Sequence, residues 1–588
     1  MDVGHPTGVR VEFDVPARMR DGTVLYANIY RPADETNSFP VLLMRTPYGK
    51  DLPMASSVLD PVQAARRGYV VVIQDVRGCF TSEGEWFPLL HEQDDGADTL
   101  DWLAQIGGTT GTVAMYGASY FAHTQWAAAV SGNSSLRAMI PLFTWADADS
   151  PEAGIFLRGG AHELGLIANW TLEQGLDGIF KRYRDVPADL IRAIHAWAQE
   201  VDQLPSTGYA DLPLATFGPL ARMHLQEAWQ FALDPNAHTE VTSRVRINEA
   251  YERSQIPVLH VAGWYDVFFN GTIQNYTAMS SRRVPNQWLI IGPWTHGNVS
   301  RVQGDVDFGY GSSGALVDLQ IDLMNMQLQF FDTFLKGTPS LFSTMQPVKY
   351  FVMGINRWRS AMSWPPDYQA VPWFIGSAGH ANGLEGDGAL APEVSPQGDF
   401  DAYSYDPATP VPTVGGATLL PPVFRAGPRD QTPIERRNDV LVYTSRPLTE
   451  NLEISGPVSA TLYVSTDAPD TDFVVRLVDV WPDGRAIPLT DGILRLGHQE
   501  PMSADSSRSP DVVRKISVDM WSTSNVFLSG HRIRLDITSS SFPRWDRNLN
   551  TGGDSLYEVD MAIARQKVFH SAECPSHIVL PVMDSGQS

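Results

Sequence analysis

The hydrophobic pattern changes character several times along the chain. Over residues 8–31 apolar and polar positions alternate, with Val11, Phe13 and Val15 in one phase and Arg20-Asp21-Gly22 interrupting them. A period of two marks half-buried strands, so this stretch predicts an antiparallel pair joined by a turn. Continuous apolar runs then follow at 41–44, 69–73, 113–116 and 137–142. Runs apolar on both faces, separated by helical segments at 55–67 and 94–105, predict a parallel sheet covered by helices on both sides. Between 147 and 247 the helical period takes over, as at 190–198, and no comparable strand run occurs. Strand runs return at 257–264 and 287–292, and a helix is predicted at 316–335. From about 366, Pro and Gly punctuate short alternating runs such as 458–464 and 533–537, the pattern of a sandwich or jelly roll. The pattern thus divides the chain into an α/β domain (1–146 and 248–365), an inserted all-helical cap (147–247) and a C-terminal all-β jelly-roll domain (366–588).

Composition narrows the function classes. A formal charge of −24 argues against a nucleic-acid partner, which needs a basic face. Cys79 and Cys574 sit in no metal or redox spacing, predict no disulfide framework and suit a reducing cytoplasm. The start, Met1-Asp2-Val3-Gly4-His5-Pro6, lacks the basic and apolar regions of a signal peptide. No apolar run approaches the roughly 20 residues of a membrane span, so no membrane partner is expected. No cofactor or metal is expected either.

Candidate chemistry centres on the run from Val113 to Ala122. It reads as a buried strand, a sharp turn carrying Ser119, and a helix continuing through Gln125, Trp126 and Ala127. Such a nucleophile elbow lifts a serine hydroxyl out of the sheet and demands small neighbours, here Gly117 and Ala118. Phe121 stands where the second glycine of G-x-S-x-G belongs. A nucleophilic serine needs a base, and the base needs a carboxylate to hold its tautomer. On an open α/β sheet these come from loops at the carboxyl ends of strands. The run at 257–264 is followed by Asp266, and the run at 287–292 by His296, in the order Ser, Asp, His.

Other residues compete for these roles. His123 falls inside the helix after the serine, about one turn away, which is poor geometry for a base. His91, Glu92, Asp94 and Asp95 resemble a metal cluster but read better as the acidic start of a helix. The oxyanion needs two donors. The Tyr120 N–H, directly after the nucleophile, is one. The loop Arg45-Thr46-Pro47-Tyr48-Gly49-Lys50 has no glycine run to offer a bare N–H and Pro47 has none, so the Tyr48 phenol is the candidate second donor.

Several runs together resemble the bacterial cocaine esterase group of X-prolyl dipeptidyl-peptidase-like serine hydrolases. They are Arg45-Thr46-Pro47-Tyr48, Asp75-Val76-Arg77-Gly78, Ser82-Glu83-Gly84-Glu85, the elbow with Thr124-Gln125-Trp126, Gly263-Trp264-Tyr265-Asp266 and Gly292-Pro293-Trp294-Thr295-His296. The likeness extends through Thr523-Ser524-Asn525-Val526 and Asn550-Thr551-Gly552-Gly553. The resemblance implies an α/β hydrolase with an inserted helical cap and a C-terminal jelly roll, and a triad of Ser119, Asp266 and His296 with Tyr48 and Tyr120 as oxyanion donors. It also implies an aromatic acyl pocket holding Trp170 and Phe268, closed by a jelly-roll loop at Leu419 and Leu420. Two positions depart from the family pattern: Ala122 replaces a glycine three residues after the serine, and the loop Leu420-Pro421-Pro422-Val423-Phe424 differs.

The expected activity is hydrolysis of a small-molecule ester with an apolar, aromatic acyl group. Amidase or acylase action by the same triad stays open, as does a homodimer. An α-amino-ester hydrolase or an X-prolyl dipeptidyl-peptidase-type aminopeptidase of the same superfamily would need carboxylates for the substrate's ammonium; the amino-ester hydrolases place them two and three residues after the triad aspartate, where this chain has Phe268 and Phe269. A non-catalytic β-sandwich binding protein is the remote alternative.

Overall fold

The computed structural model describes residues 8–34, 36–234, 239–395, 398–499 and 512–584. Its central sheet has ten strands: β1 (Val9–Arg18), β2 (Val24–Pro32), β3 (Phe39–Thr46), β4 (Val70–Asp75), β5 (Thr109–Ala118), β6 (Leu136–Leu142), β7 (Val258–Tyr265), β8 (Gln287–Thr295), β9 (Val348–Val352) and β10 (Arg357–Ala361). They lie in the order β1-β2-β4-β3-β5-β6-β7-β8-β9-β10. From β4 through β9 neighbouring strands are parallel, and antiparallel pairs finish both edges. Strands β4, β7 and β8 are buried along their whole length, which is why their sequence shows no alternation.

The insertion after β6 is helical apart from a two-stranded ribbon, Leu157–Arg158 with Ala161–His162. Its main helix, Leu164–Arg182, buries ten residues, whereas Pro187–Gln203 buries none fully and rides on the outside. The Trp197 indole ties the two together by donating to the Leu172 carbonyl at 2.8 Å. The C-terminal part is an eleven-stranded sheet system, with Leu452–Thr466 and Arg514–Phe527 paired antiparallel over most of their length.

Two predicted helices differ in extent. The segment 55–67 breaks into Met54–Ser57 and Pro61–Arg66. Asp60 caps the second piece by accepting from the Val62 and Gln63 N–H groups, and Pro61 at its first position has no N–H to leave unpaired. The helix predicted from 316 begins at Leu323. Asp318 and Leu319 adopt φ of +54° and +57°, a turn that helical periodicity alone does not disclose. Asp322 then caps the helix and Gly337, at φ +68°, ends it.

Candidate active site

Ser119 follows directly on β5, with φ 58° and ψ −125°, a conformation costly for any residue with a side chain. The turn is held by the Ser119 N–H donating to the Leu142 carbonyl at 2.9 Å. The Ser119 carbonyl accepts from Ala122 and His123 at 3.0 and 3.1 Å. Only one bare Cα is needed here. A Cβ on Gly117 would meet Phe121 Cβ at 2.4 Å. The Phe121 ring is buried, edge-on to Tyr48 at 5.2 Å. Ala122 is fully buried at the place where a glycine was expected.

Asp266 follows β7 and His296 follows β8, and the two meet: His296 Nδ1 lies 2.7 Å from Asp266 Oδ1. Asp266 is wholly buried, and among the described residues its second oxygen has no hydrogen-bond partner. A cavity of about 790 Å³ brings His296 together with Ser119, Tyr48, Tyr120, Trp170 and Phe268. No hydrogen bond joins Ser119 to His296 among the described residues; the serine hydroxyl faces Tyr48 instead. Catalytic hydrogen bonds are commonly loose before substrate binds.

Tyr48 is oriented by the cap. The Trp170 indole N–H donates to its hydroxyl oxygen at 2.9 Å, so the phenolic proton is left to point elsewhere. Desolvation pushes the phenol up to about 12, which keeps it a donor at any ordinary pH. Tyr120 opens the helix Tyr120–Val130, and the first N–H of a helix has no acceptor within it. Its side chain points away, donating to Glu92 Oε1 and accepting from the Leu89 N–H, both at 2.9 Å.

The acid-rich segment at His91 has a role that its sequence does not display. Glu92 and Asp95 are buried and paired with Arg45 and Arg77, each at 2.6 Å. Desolvation nevertheless pushes the Glu92 carboxyl up. This network fixes the Tyr120 ring from beneath, and among the described residues no group of three or more His, Cys, Asp or Glu could hold a metal. His123 is no base. Burial drives its imidazole down to about 3, neither ring nitrogen has a hydrogen-bond partner among the described residues, and its ring stacks on Trp145 at 5.2 Å. Trp145 packs against Phe268 at 4.8 Å, and Phe268 edges onto His296 at 5.2 Å.

Leu419, rather than Leu420, reaches the cavity. Leu420 packs on the cap helix, where a Cβ on Gly165 would lie 2.1 Å from its Cδ2. Sequence reasoning missed Trp145, which has no motif, and Gln303. The Gln303 side chain accepts from the Thr295 N–H and hydroxyl at 3.1 and 2.9 Å and donates to the Asn298 and Ser300 carbonyls at 2.9 and 2.8 Å. It thereby braces the loop carrying His296, seven residues away and without any periodic signal.

Known proteins bear on this geometry. Residues 21–298 match the model of the X-Pro dipeptidyl-peptidase (S15 family), and 342–579 match the X-Pro dipeptidyl-peptidase C-terminal non-catalytic domain. The chain is 38% identical to cocaine esterase of a Rhodococcus species over 578 residues, covering 97% of this chain and 98% of that one. An aminopeptidase from a marine-sediment Thaumarchaeota archaeon superposes with a TM-score of 0.78 at 25% identity, over 99% and 97% of the two chains. An α-amino acid ester hydrolase does so with a TM-score of 0.76 at 24% identity, over 99% and 98%, a likeness of fold. The chain is therefore a serine hydrolase belonging to the X-Pro dipeptidyl-peptidase S15 family.

Proposed function

We propose that this hydrolase is a carboxylic-ester hydrolase acting through an acyl-enzyme, with Ser119 as nucleophile, His296 as base and Asp266 as the group that orients it. The observation that carries the reading is the 2.7 Å contact of His296 Nδ1 with buried Asp266, in one cavity with an elbow serine. With Nδ1–H donated to Asp266, His296 Nε2 is the acceptor. It takes the Ser119 proton as Oγ attacks the ester carbonyl, then returns that proton to the departing alkoxide. The Tyr120 N–H and the Tyr48 O–H receive the oxyanion. Water, deprotonated by the same imidazole, releases the acid.

The acyl group is apolar and aromatic. Trp145, Phe156, Phe231 and Phe268 face the cavity, and aromatic walls suit a flat ring. The name of the Rhodococcus relative favours ester over amide chemistry. A panel of benzoyl and short-chain esters with matched amides tests the assignment. Benzoyl esters are expected to lead in kcat/KM. Preference for short acyl chains, or for the amides, contradicts it.

A further inference from the structure

The loop that carries His296 is held on its far side by the β-rich part of the chain. Thr295, directly before the histidine, is buried, and its N–H and hydroxyl both donate to Gln303 Oε1. The residues after Gln303 then meet a second loop. The Asp305 N–H donates to the Pro428 carbonyl at 2.8 Å, and the Arg425 guanidinium donates to the Gly304 carbonyl at 3.2 Å. Asp305 Oδ2 accepts from the Asp430 N–H at 3.2 Å and lies 3.1 Å from Arg429 Nε. These charges are partly exposed and contribute little by themselves. The centre of the seam is backbone, with Gly427 and Pro428 both buried.

Two glycines permit that close approach. A Cβ on Gly304 would lie 2.4 Å from the Pro428 carbonyl oxygen. A Cβ on Gly427, whose φ is +93°, would meet Gly304 N at 3.0 Å and Thr295 Cγ2 at 3.2 Å. Gly427 thus faces the residue that precedes the base. It is tied in both directions to Gly416, N–H to carbonyl, at 2.8 and 2.9 Å. The Thr418 N–H donates to the Gly416 carbonyl at 3.1 Å, and Leu419 follows and lines the cavity. The stretch 416–430 therefore supplies a cavity wall and also seats the loop of the base. Asp266 fixes one nitrogen of the His296 ring but not the main chain that presents it. Precision matters here, since a misplacement of about 1 Å can cost on the order of 10²-fold in rate.

We propose that Gly427 and Gln303 are positioning residues for His296, so that the β-rich part of the chain sets the place of the base as well as a wall of the pocket. This rests on the triad proposed above. Gly427→Ala presses a methyl on Thr295 and Gly304. It should lower kcat about tenfold on a benzoyl and an acetyl ester alike, with KM within about twofold. Thr295→Ser removes the Cγ2 methyl and keeps the hydroxyl on Gln303. Added to Gly427→Ala it should return about threefold or more of the lost kcat, as coupled neighbours do. Where Gly427→Ala does not fold, Arg425→Gln with Arg429→Gln decides, because it loosens the seam from the solvent side without crowding it. About a threefold loss of kcat is expected there. Arg301→Gln removes an ion pair to Asp307 at 2.8 Å within the same loop and should leave kcat unchanged. All rates are taken well below each variant's Tm, where a merely structural role leaves kcat unmoved. The rate at which an alkyl fluorophosphonate labels Ser119 needs the base but no ester, and should fall by the same factors. Wild-type kcat and labelling rate in the deciding variant overturn the proposal. So does a loss confined to the benzoyl ester, which acts through Leu419 rather than the base. No labelling of Ser119 in the wild type overturns the triad and the positioning role with it; labelling without hydrolysis of any ester overturns the esterase reading alone, and the labelling rates of the variants then decide the positioning role.

Discussion

The floor of the cavity and its walls are made in different ways. On the floor, Ser119, Asp266 and His296 each occupy the residue directly after a parallel strand, and Tyr48 lies two residues after β3. Their places follow from strand ends, which the hydrophobic pattern locates. The walls come from elsewhere: Trp170 and Glu173 from the cap helix, and Leu419 from the β-rich domain. Their places depend on how those parts pack, through contacts such as the Gly165 N–H donating to the Arg544 carbonyl at 3.2 Å and the His162 N–H to Asp546 at 2.6 Å. In the proposed assignment, chemistry sits on the floor and selectivity on the walls. Substitutions on the floor should strike kcat, and those on the walls should strike the ratio between substrates.

The largest effect tests the floor. Ser119→Ala and His296→Ala should each lower kcat by on the order of 10⁴ or more, with little further loss in the double variant, because the groups act as a unit. Steady-state kinetics on a benzoyl ester decides this; a single variant keeping a tenth of its activity breaks the assignment. Tyr48→Phe comes next. It preserves the ring packed on Phe121 and removes the hydroxyl, so kcat should fall roughly 10²–10³ with KM nearly constant. Since burial holds the Tyr48 phenol at about 12, the wild type should show no alkaline loss at an ordinary tyrosine value near 10. A kcat limb near 10 that vanishes in Tyr48→Phe contradicts that placement.

Trp170→Phe joins floor to wall. It deletes the indole N–H that holds the Tyr48 oxygen and keeps an aromatic face, so a loss of about tenfold in kcat is expected, the worth of one positioning hydrogen bond. No change would mean that Tyr48 is placed by Phe121 packing alone. The smallest effect concerns stability. His123 is held neutral down to about 3 and His260 down to about 4, against about 6.5 in the unfolded chain. Between those values the unfolded state binds the additional protons, so stability falls as pH drops from 6.5 toward 3. In His123→Phe, part of this acid loss should disappear when Tm is followed against pH; a slope equal to that of the wild type removes His123 as a contributor.

The contrast between floor and walls also explains what was legible in the sequence. The sheet was readable because strands buried on both faces show as unbroken apolar runs. The meeting of Asp266 with His296 followed from their shared position after adjacent strands. Tyr48 was picked out because its loop has no glycine run, and it does line the cavity with Ser119. Gln303 was not, since a side chain that braces a loop through four hydrogen bonds leaves no trace in periodicity. Nor was the choice of Leu419 over Leu420, because the β-domain loop is irregular and its facing is decided by Gly165 on another domain. Glu92 and Asp95 do open a helix, as their sequence reads, but their burial and pairing were not legible because Arg45 and Arg77 are distant in sequence.

The most direct measurement is covalent labelling of the nucleophile. The full-length protein is treated with an alkyl fluorophosphonate, its intact mass is recorded, and the modified peptide is mapped. One adduct per chain on Ser119, absent from Ser119→Ala and much slowed in His296→Ala, is the expected result. An adduct on another residue, or none under conditions in which the ester is turned over, contradicts Ser119 as the nucleophile.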